Sequence, residues 1–299
     1  MTPTIEIDHL TKRYDATTAV DDLTLQVPQG SVCGLLGPNG SGKTTTFKCM
    51  LGLAQASSGT VRFDGVPLAP QTFERLAYVP EKSMLYEWMT CAEHLEVVRR
   101  SCTRYDSARA AQLMALFGLD QRKKAKTLSK GQRTALMLVL AFCTRPEILV
   151  LDEPASGLDP VYQRSVLDLI IDAAAGGATV IFSSHQITQV ERAADRLAII
   201  KGGRLILEGE LDTLKSSERI VEAIFEQPPV LNGIANDPRV RRIEQSGRVV
   251  RVHVRHDGEG FARALAALGP KHVEILDQSL EELFLNVVAG SAGTVGAPS

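Results

Sequence analysis

Eight consecutive residues, "GPNGSGKT" from Gly37 to Thr44, have the types and the spacing to hold a polyphosphate. They fit the pattern G-x-x-x-x-G-K-[ST]. Gly37, Gly40 and Gly42 let the backbone wrap tightly, so that the loop of Gly37, Pro38, Asn39, Gly40, Ser41 and Gly42 turns its N–H groups, which Pro38 alone lacks, toward phosphate oxygens. Lys43 supplies a point charge for the terminal phosphates, and the Thr44 hydroxyl suits Mg²⁺. An apolar strand, "SVCGLL", precedes the loop. A helix follows it through Thr45, bringing its positive end to the same point.

A second segment supplies acids. "ILVLDEP", Ile148 to Pro154, reads as a buried strand that delivers Asp152 and Glu153 at its carboxyl end. Asp152 suits the magnesium shell. Glu153 suits accepting a proton from an attacking water, or orienting it. A "DE" pair alone is ordinarily a solvated strand end. Beside a phosphate loop and an apolar run it reads as chemistry on a nucleoside triphosphate.

A third segment, "TLSKGQR", begins a helix. Ser129 and Gln132 stand three residues apart before the apolar run "ALMLVLAFC", which is a capping box. A helix start is also an anion site, so capping and ligand contact are compatible there.

The elements that must position these groups alternate. "IEIDHLTKRY", "LTLQV", "GTVRFDG", "RLAYVP" and "ATVIFSS" read as strands, and "DPVYQRSVLDLIIDAAAGG" and "QITQVERAAD" as helices. "RLAIIKGGRLILEGE" reads as a hairpin about Gly202 and Gly203. Strand and helix in alternation imply an α/β core with a parallel sheet. From about 82 to 145 the pattern is helical and reads as an inserted subdomain of a nucleotide-binding domain spanning 1–215. The pattern changes after Lys215. Residues 220–288 read as a small α+β domain, and 289–299 as a disordered tail of small residues.

Composition narrows the partners. The 299 residues carry a formal net charge of -2, which argues against a broad nucleic-acid face. The five cysteines make no C-x-x-C pair or zinc spacing and read as reduced, buried thiols. The N-terminus has polar and charged residues throughout, unlike a signal peptide. No apolar stretch is long enough to span a bilayer, so membrane work would need another chain.

The order of motifs resembles the ATP-binding cassette (ABC) family over roughly residues 5–210. "LSKGQ" upstream of "LVLDEP" is similar to that family's signature. "SGLDP", with Asp159, resembles its D-loop, His185 after "ATVIFSS" its switch histidine, and Tyr14 in "KRYD" its adenine-stacking aromatic. Glu81 in "YVPEK" falls at the Q-loop position. The resemblance implies a P-loop NTPase cassette, with a RecA-like core and a helical subdomain, that binds ATP and Mg²⁺. It implies a head-to-tail homodimer in which Ser129, Gly131 and Gln132 of one copy cover the ATP held by the other. Glu153, His185 and Lys43 would carry hydrolysis; Thr44, Glu81 and Asp152 would hold the metal.

Two positions depart from the family's commonest residues. Lys130 replaces a glycine of the signature, and Glu81 replaces glutamine. Glutamate there, and a C-terminal segment like "SLEELFLNVV", resemble a bacterial branch that includes drug and ion exporters. The expected role is the ATPase subunit of a transporter at the cytoplasmic face of the membrane, docked on separate permease subunits through "KSMLYEWMT". The rival is a soluble ABC ATPase acting on ribosomes or nucleic acid. Such proteins usually carry two cassettes or long coiled-coil insertions, and neither is present.

Overall fold

The computed structural model describes residues 3–216, 219–231, 233–234, 236–255 and 257–290. Its contacts divide the chain into two compact units at Glu208–Gly209.

The N-terminal unit opens with β1 (Pro3–Tyr14) and β2 (Thr17–Pro28), a long antiparallel pair. Ile5, Ile7, Leu10, Leu23, Leu25 and Val27 from it enter the core. Next come β3 (Val32–Leu36), α1 (Lys43–Met50), β4 (Ser58–Phe63), β5 (Val66–Pro67), α2 (Pro70–Phe73) and β6 (Leu76–Val79). Three helices follow, α3 (Cys91–Ser101), α4 (Ser107–Leu116) and α5 (Lys130–Phe142). The unit continues with β7 (Ile148–Asp152), α6 (Pro160–Ala175), β8 (Thr179–Ser184), α7 (Ile187–Ala193), β9 (Arg196–Lys201) and β10 (Arg204–Glu210).

These strands form two sheets. One has the order β2-β1-β4-β5 and is antiparallel. The other has the order β10-β9-β3-β8-β7-β6, parallel from β9 to β6. Every residue of β3, β7 and β8 is buried, as a parallel sheet covered on both faces requires. Because β3, β8 and β7 are parallel neighbours, their carboxyl ends share one edge. That edge receives the loop after Leu36, His185 after β8, and Asp152 and Glu153 at the end of β7.

The C-terminal unit contains α8 (Leu211–Ser216), β11 (Arg219–Ile224), β12 (Val240–Ser246), β13 (Val249–Val254), α9 (Gly258–Ala266), β14 (His272–Asp277) and α10 (Leu280–Gly290). Its antiparallel sheet has the order β12-β13-β11-β14. Val221, Val250, Val252 and Val254 pack there with Phe261 and Leu265 of α9. Gly247, at φ 58, makes the turn between β12 and β13. Helix α10 runs to Gly290, two residues into the segment expected as a tail from 289. Residues 291–299 lie outside the described residues.

Among the described residues, no helix is long and apolar enough to cross a membrane. Cys33, Cys49, Cys91 and Cys143 are buried, Cys102 is half-buried, and all five are free. Burial pushes the Cys33 thiol up to about 12.

Candidate functional site

The loop after β3 is shaped by glycines that cannot be replaced. A Cβ at Gly37 would lie 2.4 Å from the Ile200 carbonyl oxygen. At Gly42, where φ is 109, it would lie 2.5 Å from the Ala19 carbonyl oxygen. Helix α1 begins at Lys43 with no side-chain cap, which leaves its first-turn N–H groups to a ligand. Lys43 is buried, and its Nζ donates to the carbonyl oxygens of Gly37 (2.7 Å) and Pro38 (3.4 Å). Gly37 and Pro38 therefore hold the lysine rather than line the cavity. The Ser41 Oγ is buried with no protein partner.

The acids of β7 meet this lysine. Glu153 Oε1 lies 3.5 Å from Lys43 Nζ, and Oε2 lies 2.8 Å from His185 Nδ1. Glu153 has φ 50, a left-handed conformation that costs a non-glycine residue about 1–3 kcal/mol. The surroundings enforce it: the Glu153 N–H donates to Ser183 Oγ (2.9 Å), and the Ser183 hydroxyl donates to Asp152 Oδ1 (2.6 Å). The other Asp152 oxygen, Oδ2, is buried and unpartnered. A buried carboxylate oxygen with no hydrogen bond is costly unless a cation or donor meets it. Ser183 was not singled out by sequence reading. Its signal is a polar residue at the buried end of an apolar strand.

These groups open onto a cavity of about 670 Å³. Its walls are the loop from Asn39 to Thr45 with Tyr14, Glu81, Glu153, Ser156 and His185. Tyr14 is 45% exposed, and the Lys12 ammonium lies over its ring, 4.5 Å from the centroid. Burial, then the charges of Asp152 and Glu81, raise the pKa of the neighbouring Tyr78 phenol.

The signature segment lies elsewhere in the same unit. Ser129 caps α5: its Oγ accepts from the Gln132 N–H (3.2 Å), and the Ser129 N–H donates to Gln132 Oε1 (3.1 Å). A Cβ on Gly131 would meet the Gly157 carbonyl oxygen at 2.7 Å. Asp159 caps α6 by accepting from the N–H groups of Val161 and Tyr162, both at 3.0 Å. Ser129, Gly131, Gln132, Gly157 and Asp159, with Phe117 and Tyr162, line a second cavity of about 420 Å³. The aliphatic stem of Lys130 lies against Gly157, 3.2 Å from where a Cβ would stand.

A third feature is an apolar groove of about 390 Å³ between residues 73–102 and α5. Phe73, Met84 and Tyr86 line it and are exposed, and Trp88 beside Tyr86 is 66% exposed. Met89, next to Trp88 in the expected docking segment, is half-buried in the groove wall. Sequence reading passed over Phe73 and His94, which join that segment only after folding.

A family model described as "ABC transporter" matches residues 20–156. The ABC transporter ATP-binding protein YtrB of Bacillus subtilis is 31% identical over 289 residues, covering 96% of this chain and 98% of that one. The chain belongs to the ABC transporter ATP-binding proteins. Membership makes it an ATP-binding subunit of an ABC transporter, with ATPase activity. The Nod factor export ATP-binding protein I of Cupriavidus pinatubonensis is similar at 33% identity, covering 96% of this chain and 91% of its own. Among solved structures, one described as "Structure of ATP binding subunit of ABC transporter" superposes with a TM-score of 0.65. It is 31% identical and covers 71% of this chain and 92% of that chain.

Proposed function

We propose that two copies of this chain close head to tail on ATP and drive separate membrane permease subunits, in the direction of export. The carrying observation is the separation of two half-sites on one unit. The phosphate loop and the signature line different cavities, with no residue in common. A symmetric pair in which each signature faces the other copy's phosphate loop completes both.

In this reading Tyr14 stacks on the adenine, and the loop from Gly37 to Thr45 holds the phosphates. Lys43 already sits at the loop with Gly37 and Pro38 carbonyls and Glu153 around it. A terminal phosphate draws its charge and frees Glu153 to orient the attacking water and accept its proton. His185 holds Glu153 in place and contacts the γ-phosphate. Ser129, Gly131 and Gln132 of the second copy cover it with the N-terminus of α5, and Asp159 fixes the turn beside them.

The residues present fit Mg²⁺. Asp152 offers a buried, unpartnered carboxylate oxygen, and Thr44 and Glu81 offer hard oxygen donors on the cavity wall. Bound there, the ion would neutralise phosphate charge.

The apolar groove with Tyr86 and Trp88 supports docking on a permease, because exposed aromatic clusters of this kind are contact surfaces. The working place is then the cytoplasmic face of the membrane, with no nucleic-acid partner. Export rests on the branch resemblance and on the printed name of the Nod factor relative. We assign the domain limits as 1–215 and 220–288, and give the second domain a regulatory or dimer-stabilising role.

Detergent extraction of native membranes followed by affinity capture tests the transporter assignment. Recovery of a polytopic membrane protein in stoichiometric amount is expected. Capture of ribosomes or nucleic acid instead would overturn it.

A further inference from the structure

The segment that carries Tyr86 and Trp88 is irregular, yet it is held in one position. Between 85 and 90 it has no strand or helix of its own. On one side, backbone bonds tie it to residues 121–126: Ala125 N–H to Met89 O (2.9 Å) and Lys126 N–H to Glu87 O (3.0 Å). On the other side His94, in the first turns of α3, reaches the Tyr86 backbone directly.

His94 is 5% exposed and uses both ring nitrogens. Nδ1 lies 2.8 Å from the Thr90 carbonyl oxygen, and Nε2 lies 3.0 Å from the Tyr86 backbone nitrogen. The partners dictate the protonation state. A carbonyl can only accept, so Nδ1 carries the hydrogen. A backbone N–H can only donate, so Nε2 presents its lone pair. The ring is therefore neutral as it stands. A proton on Nε2 would set two donors against each other at 3.0 Å, and the Tyr86 bond must break.

We propose that His94 is a positioning residue of the docking face: neutral, it clasps Tyr86 and with it Trp88 in the docking posture, and protonated, it releases them. The inference rests on the reading of this groove as the permease contact.

The charges around His94 leave this switch open. Its own helix brings Glu93, which is engaged in capping Thr90. The segment brings Glu87, paired with Arg133 of α5 at 3.4 Å. Asp120, Lys123 and Lys124 stand on the stretch bonded to residues 90–92. Glu74 and Arg75 between α2 and β6, the Tyr78 phenol of β6 and the Cys102 thiol after α3 also line the groove, to which α5 presents Met137, Leu140 and Ala141, with Thr144 just beyond it. None of these groups replaces the Nε2 lone pair as acceptor for the Tyr86 N–H.

The chain has a single tryptophan, Trp88, whose ring centroid is 4.9 Å from that of Tyr86. Its emission therefore reports this segment alone. The test follows Trp88 emission in the purified full chain from about pH 8 to about pH 5, the window in which imidazole changes charge. Wild type should show one reversible transition. His94→Gln, whose amide oxygen can accept from Tyr86 but does not titrate, should stay at the neutral value throughout. His94→Leu should show the released spectrum at every pH.

A wild-type emission that does not move overturns the proposal. So does a transition that persists in His94→Gln, which would assign it to another of the six histidines. If His94→Leu does not fold, the comparison with His94→Gln still decides. Capture of the membrane partner at both ends of the window separates this inference from its premise. Wild type should capture at pH 8 and not at pH 5, and His94→Gln at both. If no variant captures a membrane partner while the emission behaves as stated, the docking reading fails and the clasp stands.

Discussion

The phosphate-loop cavity and the signature cavity are built on opposite plans. The first is full of unbalanced charge. Lys43 and Glu153 are buried together, Glu153 is held at φ 50, and Asp152 Oδ2 and Ser41 Oγ have no protein partner. The second is already satisfied. Ser129 and Gln132 bond to each other, and Asp159 bonds to its own helix. A ligand completes the first, whereas the second offers only backbone donors, a helix dipole and a close-fitting surface. Charge should therefore matter at the phosphate loop, and volume at the signature.

The largest effect belongs to Lys43→Ala. It removes the cation proposed to meet the phosphates and leaves buried Glu153 with His185 alone, and ATPase should fall by about 10²-fold or more, as when a transition-state donor is lost. Phosphate release and binding of a fluorescent ATP analogue check it, and undiminished hydrolysis would break the contrast. Gly131→Ala comes next. Its methyl group must displace the Gly157 carbonyl, a strain of about 1–3 kcal/mol, so ATPase should drop roughly tenfold. ATP affinity of the single copy should stay unchanged. A drop in that affinity would mean that the two cavities are not independent. The smallest change is Lys130→Met, which keeps the stem against Gly157 and removes the charge. An effect under about 0.5 kcal/mol on KM for ATP is expected; a larger, salt-dependent one would give the signature a charge role.

Legibility in the sequence followed range. The Ser129–Gln132 box is an i,i+3 pattern, and structure and sequence agree on it. The phosphate loop and the acid-ended strand β7 are also local patterns, and the parallel sheet follows from strand and helix alternation. The Lys43–Glu153–His185 contact joins residues from three segments. Sequence reading gave these residues separate tasks and missed that they touch. Ser183 and His94 were missed for the same reason, since each matters through a partner that folding brings to it. Within the docking segment Trp88 is exposed and Met89 half-buried, a split that adjacency in sequence does not reveal.

The central claim is that one ATP is held between two copies. Glu153→Gln removes the carboxylate proposed to activate water while keeping its shape, so ATP should persist in the closed state. Sedimentation velocity of this variant, with and without ATP and Mg²⁺, tests the claim most directly. A 32.4 kDa monomer is expected without nucleotide and a species of twice that mass with it, with no such shift when Gly131→Ala is added. A variant that saturates with ATP and remains a monomer would contradict it.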